Sequence, residues 1–173
     1  MKARKTVLAF ILVLALILSL GVSAFAAKGS KAAYATTAAF LKELDKEDIE
    51  YTNNGIDEDE DEYISFTLSG DNMDRIDFDI YFDKDLDKVS MYVWEVIEYD
   101  ERDFNDVLKL VNDLNSDYIY VRFWVNTDFN VVTAEVNVPL RDCKEAGELA
   151  MDAFDALYYI TDMTYPELEF YAK

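Results

Sequence analysis

Histidine is absent from this chain of 173 residues, and cysteine occurs once, at Cys143. Without histidine, the commonest general base and the commonest zinc ligand are both missing. A single cysteine cannot close an internal disulfide, so the fold has to rest on its core rather than on covalent staples. Cys143 lies three residues before Ala146, on what reads as the apolar face of a last helix. There it serves as a small buried hydrophobe rather than a reactive thiol. The chain also has no Gly-x-Ser-x-Gly elbow, no P-loop and no dinucleotide fingerprint, which removes the commonest nucleophile and phosphate-binding chemistries. No internal repeat and no inter-domain linker stand out. In so acidic a chain nothing marks two of the carboxylates as a glycosidase-like pair. These absences point away from an enzyme, and no cofactor is called for.

Basic residues are scarce as well, with 16 Lys plus Arg against 36 Asp plus Glu and a net charge of −20. Such a surface repels nucleic acid and anionic lipid head groups. It suits a soluble protein, with solubility alone a sufficient reason, or a partner that is basic or divalent. The three basic residues Lys2, Arg4 and Lys5 are followed by an apolar run from Val7 to Leu20, broken only by Ser19, and then by Gly21 and Ala24-Phe25-Ala26. That is the tripartite pattern of a secretory signal peptide over residues 1–26, with small residues where a peptidase cuts. The run is short for a membrane span, which needs about 20 residues, so the membrane is met only through this segment before cleavage after Ala26. Its loss leaves 13 basic residues against 36 acidic ones, a net of −23. The mature chain is expected to be secreted or extracytoplasmic. Residues 27–35 read as a flexible leader, and 36–173 as one domain of ordinary size. All but two of the 25 aromatic residues lie beyond residue 26, enough apolar surface for a packed core despite the charge.

Within that domain the hydrophobic period changes several times. Phe40, Leu41 and Leu44 recur at helical spacing, and Thr36 or Thr37 is placed to cap a first helix that runs to about Lys46. Ile49 to Tyr51 reads as a short extended piece and Asn53-Asn54-Gly55 as a turn. Six consecutive acids, Asp57 to Glu62, repel one another and read as a solvated loop. A period of two follows in Ile64–Leu68, again in Ile76–Phe82, and again in Val89–Trp94. These are three successive antiparallel strands. Asp103 is placed to cap a second helix with the stripe Phe104, Val107, Leu108, Val111 and Leu114. A hairpin then runs from Tyr118 to about Asn126 and back from Val131 to Val138, and Pro139 stops it. Asp142, with Glu145 three residues on, has the spacing of a capping box for a last helix. That helix ends before a short tail at Tyr165-Pro166. The predicted architecture is α+β and two-layered: an antiparallel five-stranded sheet with helices on one face, in the order α-βββ-α-ββ-α.

Ile64-Ser65-Phe66 with the Asp71-Asn72 turn, Ile80-Tyr81-Phe82-Asp83, and above all Leu110-Val111-Asn112-Asp113-Leu114-Asn115 carry a further signal. With the Phe123-containing strand and apolar hairpin that follow, the chain resembles the YbjN-type domain family of bacterial sensory transduction regulators over roughly residues 36 to 168. That family shares the fold of type III secretion chaperones. The resemblance implies a non-enzymatic regulatory or chaperone-like domain, often dimeric, with no catalytic residues to carry over. The signal peptide and the acidity depart from a family that is mostly cytoplasmic.

Three local features bear on function. Asp83, Asp85 and Asp87 have the spacing that begins an EF-hand loop. The sixth position, however, is Lys88 rather than Gly, and the twelfth is Trp94 rather than Glu. An EF-hand is excluded, and no metal ligands are assigned. A looser extracellular calcium or cation site in the acidic loops is the alternative function. Asn112 and Asn115 read as backbone-bonding amides where the second helix stops. Finally, Tyr92, Trp94, Tyr118, Tyr120 and Trp124 occupy the parity opposite the core residues Val89, Met91 and Val93 on one strand and Ile119, Val121, Phe123 and Val125 on the other. An aromatic patch outside a sheet marks an interaction surface. Tyr92, Trp94, Tyr120 and Trp124 are therefore the candidate partner-binding residues, for a protein partner or a second copy in a homodimer.

Overall fold

Residues 31–85, 87–141 and 144–173 are described in a computed structural model. The signal-peptide segment, residues 27–30, the Asp142 cap and Cys143 lie outside the described residues. Ten elements follow in order. They are α1 (Ala35–Lys46), β1 (Thr52–Ile56), β2 (Glu62–Leu68), β3 (Ile76–Phe82), β4 (Lys88–Glu98), a 3₁₀ turn (Glu101–Asp103), α2 (Phe104–Asp117), β5 (Arg122–Asn126), β6 (Val131–Pro139) and α3 (Ala146–Glu169). The strands make one antiparallel sheet of six, in spatial order β1-β2-β3-β4-β6-β5. The α+β, antiparallel reading holds, but the sheet has six strands rather than five.

The extra strand is β1. Asn53-Asn54-Gly55 carries turn chemistry, yet the chain uses it for a bulge inside a strand. The pairing steps from Asn53↔Ile64 to Gly55↔Tyr63, leaving Asn54 over. Gly55 takes φ of 85° there, a left-handed value that suits a residue without Cβ. The turn itself falls later, at Asp57–Asp61, where the Asp57 carboxylate accepts the N–H groups of Asp59 and Asp61, each at 2.9 Å.

Four corrections concern the ends of elements. Neither Thr36 nor Thr37 caps α1: both lie inside the helix, buried, with hydroxyls that have no partner. Glu62, the last of the six acids, is not in the loop but begins β2 on its inner face, 1% exposed. Its carboxylate accepts the N–H groups of Ala33 and Tyr34, at 2.8 and 2.9 Å, and the Asn53 amide. That anion anchors the entry to α1, near the positive end of the helix dipole. Asp103 makes no side-chain cap, because the 3₁₀ turn leads the chain into α2 instead. The tail expected at Pro166 is still helix, and α3 continues to Glu169. Proline there gives up its own N–H bond and crowds the carbonyl one turn back, and buried Leu168 nevertheless holds the last turn on the core.

The core lies between the inner sheet face and the helices. Ile64, Phe78, Ile80, Phe82, Val89 and Met91 are fully buried from the sheet, and Phe40, Leu44, Val107 and Leu157 from the three helices. Phe154 of α3 packs edge-on against Phe66 and Phe78, with ring centroids 5.2 and 5.1 Å away. Each such side chain contributes about 1.5–3 kcal/mol by leaving water. A second carboxylate ties α3 to the sheet. Asp162 accepts the N–H groups of Asp71, Asn72 and Met73 at 2.9–3.0 Å in the turn between β2 and β3. Gly70 opens that turn, and a Cβ there would meet Asp162 Oδ1 at 2.0 Å, so the approach requires glycine.

The first hairpin strand is shorter than its alternation predicts. It begins at Arg122, not Tyr118. Ile119, placed in the core by parity, is 83% exposed in the connection between α2 and β5, while Val121 and Phe123 are buried as expected. Leu108 of the α2 stripe is also partly exposed.

Candidate functional site

All three helices contribute to the core on the inner face, and the opposite face of the sheet carries the aromatics. Alternation dictates which residues stand there. They are Tyr63, Ser65 and Thr67 on β2, Asp77, Asp79 and Tyr81 on β3, Ser90, Tyr92 and Trp94 on β4, Thr133, Glu135 and Asn137 on β6, and Arg122 and Trp124 on β5. Four of the rings form a chain across three strands. Tyr63 stacks on Tyr81 at 4.8 Å, Tyr81 meets Tyr92 edge-on at 5.9 Å, and Tyr92 stacks on Trp94 at 4.2 Å. Trp94 is 40% exposed.

Trp124 continues this surface beyond a polar seam. Its indole N–H donates to Glu135 Oε2 at 3.0 Å, and Arg122 pairs with Glu135 Oε1 at 2.5 Å. Glu135 is nearly buried, although it stands on the outer face. Beside it, Thr133 donates its hydroxyl to the Trp94 carbonyl at 2.6 Å, where β4 bulges between Val93 and Ile97. The bulge sets three residues of β4 opposite one of β6 and turns Trp94 outward next to Tyr92.

Of the four candidate residues, Tyr92, Trp94 and Trp124 share this face. Tyr120 does not join them there: it is 74% exposed in the connection before β5. Tyr118 packs against the core instead. Tyr63, Tyr81 and Glu135 belong to the surface and were not singled out. Their parity on β2, β3 and β6 was the available signal, but single tyrosines among serines and aspartates do not announce a patch.

The electrostatics of the face are one-sided. Burial, with the Asp79 carboxylate accepting its hydroxyl at 2.5 Å, pushes Tyr63 up to about 12. Burial and the same carboxylate raise Tyr81. Both phenols are therefore neutral hydrogen-bond donors at any physiological pH. Asp77 is held below the ordinary carboxylate range, first by its bond to Arg75. The two acidic loops lie together at one end of the sheet, where burial and then Asp83 and Asp57 raise Asp61. Among the described residues, no three His, Cys, Asp or Glu side chains converge to hold a metal ion.

No family model and no curated protein matches the chain. Solved structures do. The chain is similar to the ExsC–ExsE complex, at 11% identity over 64% of this chain and 77% of that one, with a TM-score of 0.42. It is similar to the HopA1–SchA chaperone–effector complex, at 8% identity over 72% and 88%, with a TM-score of 0.45. Similarity to YbjN from E. coli extends over 76% of this chain and 93% of that one, at 11% identity and a TM-score of 0.45. YbjN is thus among the structures this chain is similar to, as the sequence resemblance anticipates.

Proposed function

We propose that this is an exported, non-enzymatic binding domain that holds a protein partner, or a second copy of itself, against the outer face of its sheet. The observation that carries the reading is the continuous row of rings from Tyr63 to Trp94, with Trp124 beyond, on the sheet face opposite the one that the described helices pack against. Tyrosine and tryptophan bury a large area at modest entropic cost, and each keeps a polar atom that tolerates water when the partner is gone. A domain serving only as a charged, soluble scaffold has no need to hold them there. The acidic loops do not offer a comparable case for calcium, because among the described residues no three of their carboxylates converge on one point.

The test is Trp94→Ser beside Trp124→Ser, followed by sedimentation and by capture from the surface fraction of the producing cells. Trp94→Ser should leave the melting temperature nearly unchanged and weaken the dimer or partner complex by about 2 kcal/mol or more, the scale of an interface hot spot. A self-complex should also tighten with added salt, because two chains of this charge repel. A monomer with no partner, and no change in either variant, would remove the reading. Intact-mass analysis of protein from the culture medium addresses export: Ala27 at the N-terminus is the expected product.

A further inference from the structure

We propose that the partner reaches this face through an arginine side chain that seats in a cleft beside Trp94. The inference rests on the outer face being the contact surface and specifies the chemistry of what it receives.

The cleft arises from the backbone. The β3–β4 ladder runs from Phe82↔Val89 to Asp79↔Tyr92 and stops there. Trp94 and Glu95, in the bulge that β4 makes against β6, do not pair with Ile76 and Asp77 of β3. Between the parted strands lies a hollow of about 420 Å³, floored by Met73, Ile76 and Val93 and walled by Trp94, Glu95 and Asp79. Its floor is apolar, one wall is an indole backed by the stacked ring of Tyr92, and the carboxylates of Asp79 and Glu95 line it together with the Arg75–Asp77 pair. Neither Asp79 nor Glu95 makes an ion pair among the described residues. The one cation at the rim, Arg75, is taken by Asp77 at 2.8 Å.

Each wall selects for the same group. A carboxylate pair without a cation attracts positive charge, and in a chain of net charge −20 the complementary partner is basic. A metal ion is the wrong cation, because too few carboxylates converge. Between the two basic side chains the indole decides. A guanidinium is planar and weakly hydrated, so it can lie on a tryptophan face while its edge donates to carboxylates. An ammonium keeps its water and has no face to stack. The aliphatic stem of arginine would meet the apolar floor.

The probes are two capped hexapeptides of identical sequence that alternate a basic residue with isoleucine, one built with arginine and the other with lysine. Binding is followed by NMR of the two indole N–H signals, assigned with the Trp94→Ser and Trp124→Ser variants. The arginine peptide should shift the Trp94 signal and bind at least about fivefold more tightly than its lysine twin. Glu95→Gln, at an exposed site that should not disturb folding, should weaken the arginine peptide severalfold. Trp94→Ser should weaken it by about tenfold or more. Equal binding of the two peptides would mean charge attraction alone and would overturn the arginine slot, as would shifts confined to Trp124 or no binding. The outer-face reading is read out separately. If neither peptide binds but Trp94→Ser still weakens the partner complex, the slot falls and the face stands. If the arginine peptide binds at Trp94 while the Trp variants leave association unchanged, the face falls.

Discussion

Asp162 stands on a helix, 8% exposed, with its carboxylate turned into a backbone turn ninety residues away in sequence. Burial alone would push it up. Three backbone N–H groups and the Asn72 amide more than offset this and hold it below the ordinary carboxylate range. A group whose pKa falls on folding stabilises the native state above its unfolded pKa, and that contribution is lost as pH drops through the lowered folded value. Asp162→Ala leaves the buried Met73 N–H and two more exposed donors without their anion and should cost about 1–3 kcal/mol, the range for an unsatisfied buried donor. Urea unfolding at neutral pH measures it; a loss below roughly 0.5 kcal/mol, the scale of an ordinary surface substitution, would mean the turn holds itself. Neither Asp162 nor Glu62 was legible in the sequence as an anchor. Each is one acid among 36, and what distinguishes it is a set of backbone donors brought close only by the tertiary fold. The inner-face residues from Ile64 to Val93 were legible, because strict alternation places every second side chain on the same face.

Asn115 decides how α2 meets the sheet. Its amide donates to the Phe123 carbonyl at 2.8 Å, and its carbonyl oxygen accepts the Phe123 N–H at 2.7 Å. One side chain thereby satisfies both backbone groups of an edge-strand residue and denies that edge to another strand. The amide role expected of Asn115 holds, whereas Asn112 is exposed, and it is its backbone carbonyl that accepts the Ser116 hydroxyl. Asn115→Ala should destabilise the fold by about 1–3 kcal/mol, the range for unpaired buried backbone groups. It should also speed hydrogen exchange at the Phe123 amide more than at Val132. Equal protection at both sites would show that the strand does not depend on the amide. At this scale, what the sequence hid has a common cause. β1 reads Thr-Asn-Asn-Gly-Ile, poor in strand formers, and is recruited by pairing with β2. Tyr118 to Val121 alternates like a strand, but the chain spends those residues leaving α2. Periodicity reports which residues want burial, and pairing decides which segments are strands.

At the scale of the whole molecule, charge sets how stability responds to pH and salt. Burial, then the neighbouring carboxylates Asp83 and Asp57, raises Asp61. Burial, then Asp152 and Glu47, raises Asp155. For these groups the folded state binds the proton more tightly than the unfolded chain does. Their effect on stability is therefore favourable at low pH and is lost as pH rises from the ordinary carboxylate range of about 4 through the raised folded values. Asp162 and Asp77 work in the other direction, and their contribution disappears only below that range. Lowering the pH from 7 first relieves repulsion in the acidic loops and on α3, and only later strips the anchors. Maximum stability at low salt should consequently lie in mild acid, below neutrality and above about pH 4, where the carboxylates of the unfolded chain begin to take up protons and the contribution of Asp162 and Asp77 starts to fall. Salt should raise the melting temperature at pH 7 and do little near the optimum, since screening relieves only a repulsion that is present. Calcium chloride at matched ionic strength should add no more than sodium chloride, because among the described residues no three acidic side chains converge to link metal binding to folding. Thermal melts from pH 3 to 9 in each salt decide the matter. A maximum at or above pH 7 in low salt would show that paired carboxylates outweigh the repulsion. A rise specific to millimolar calcium would bring the acidic loops back as a cation site.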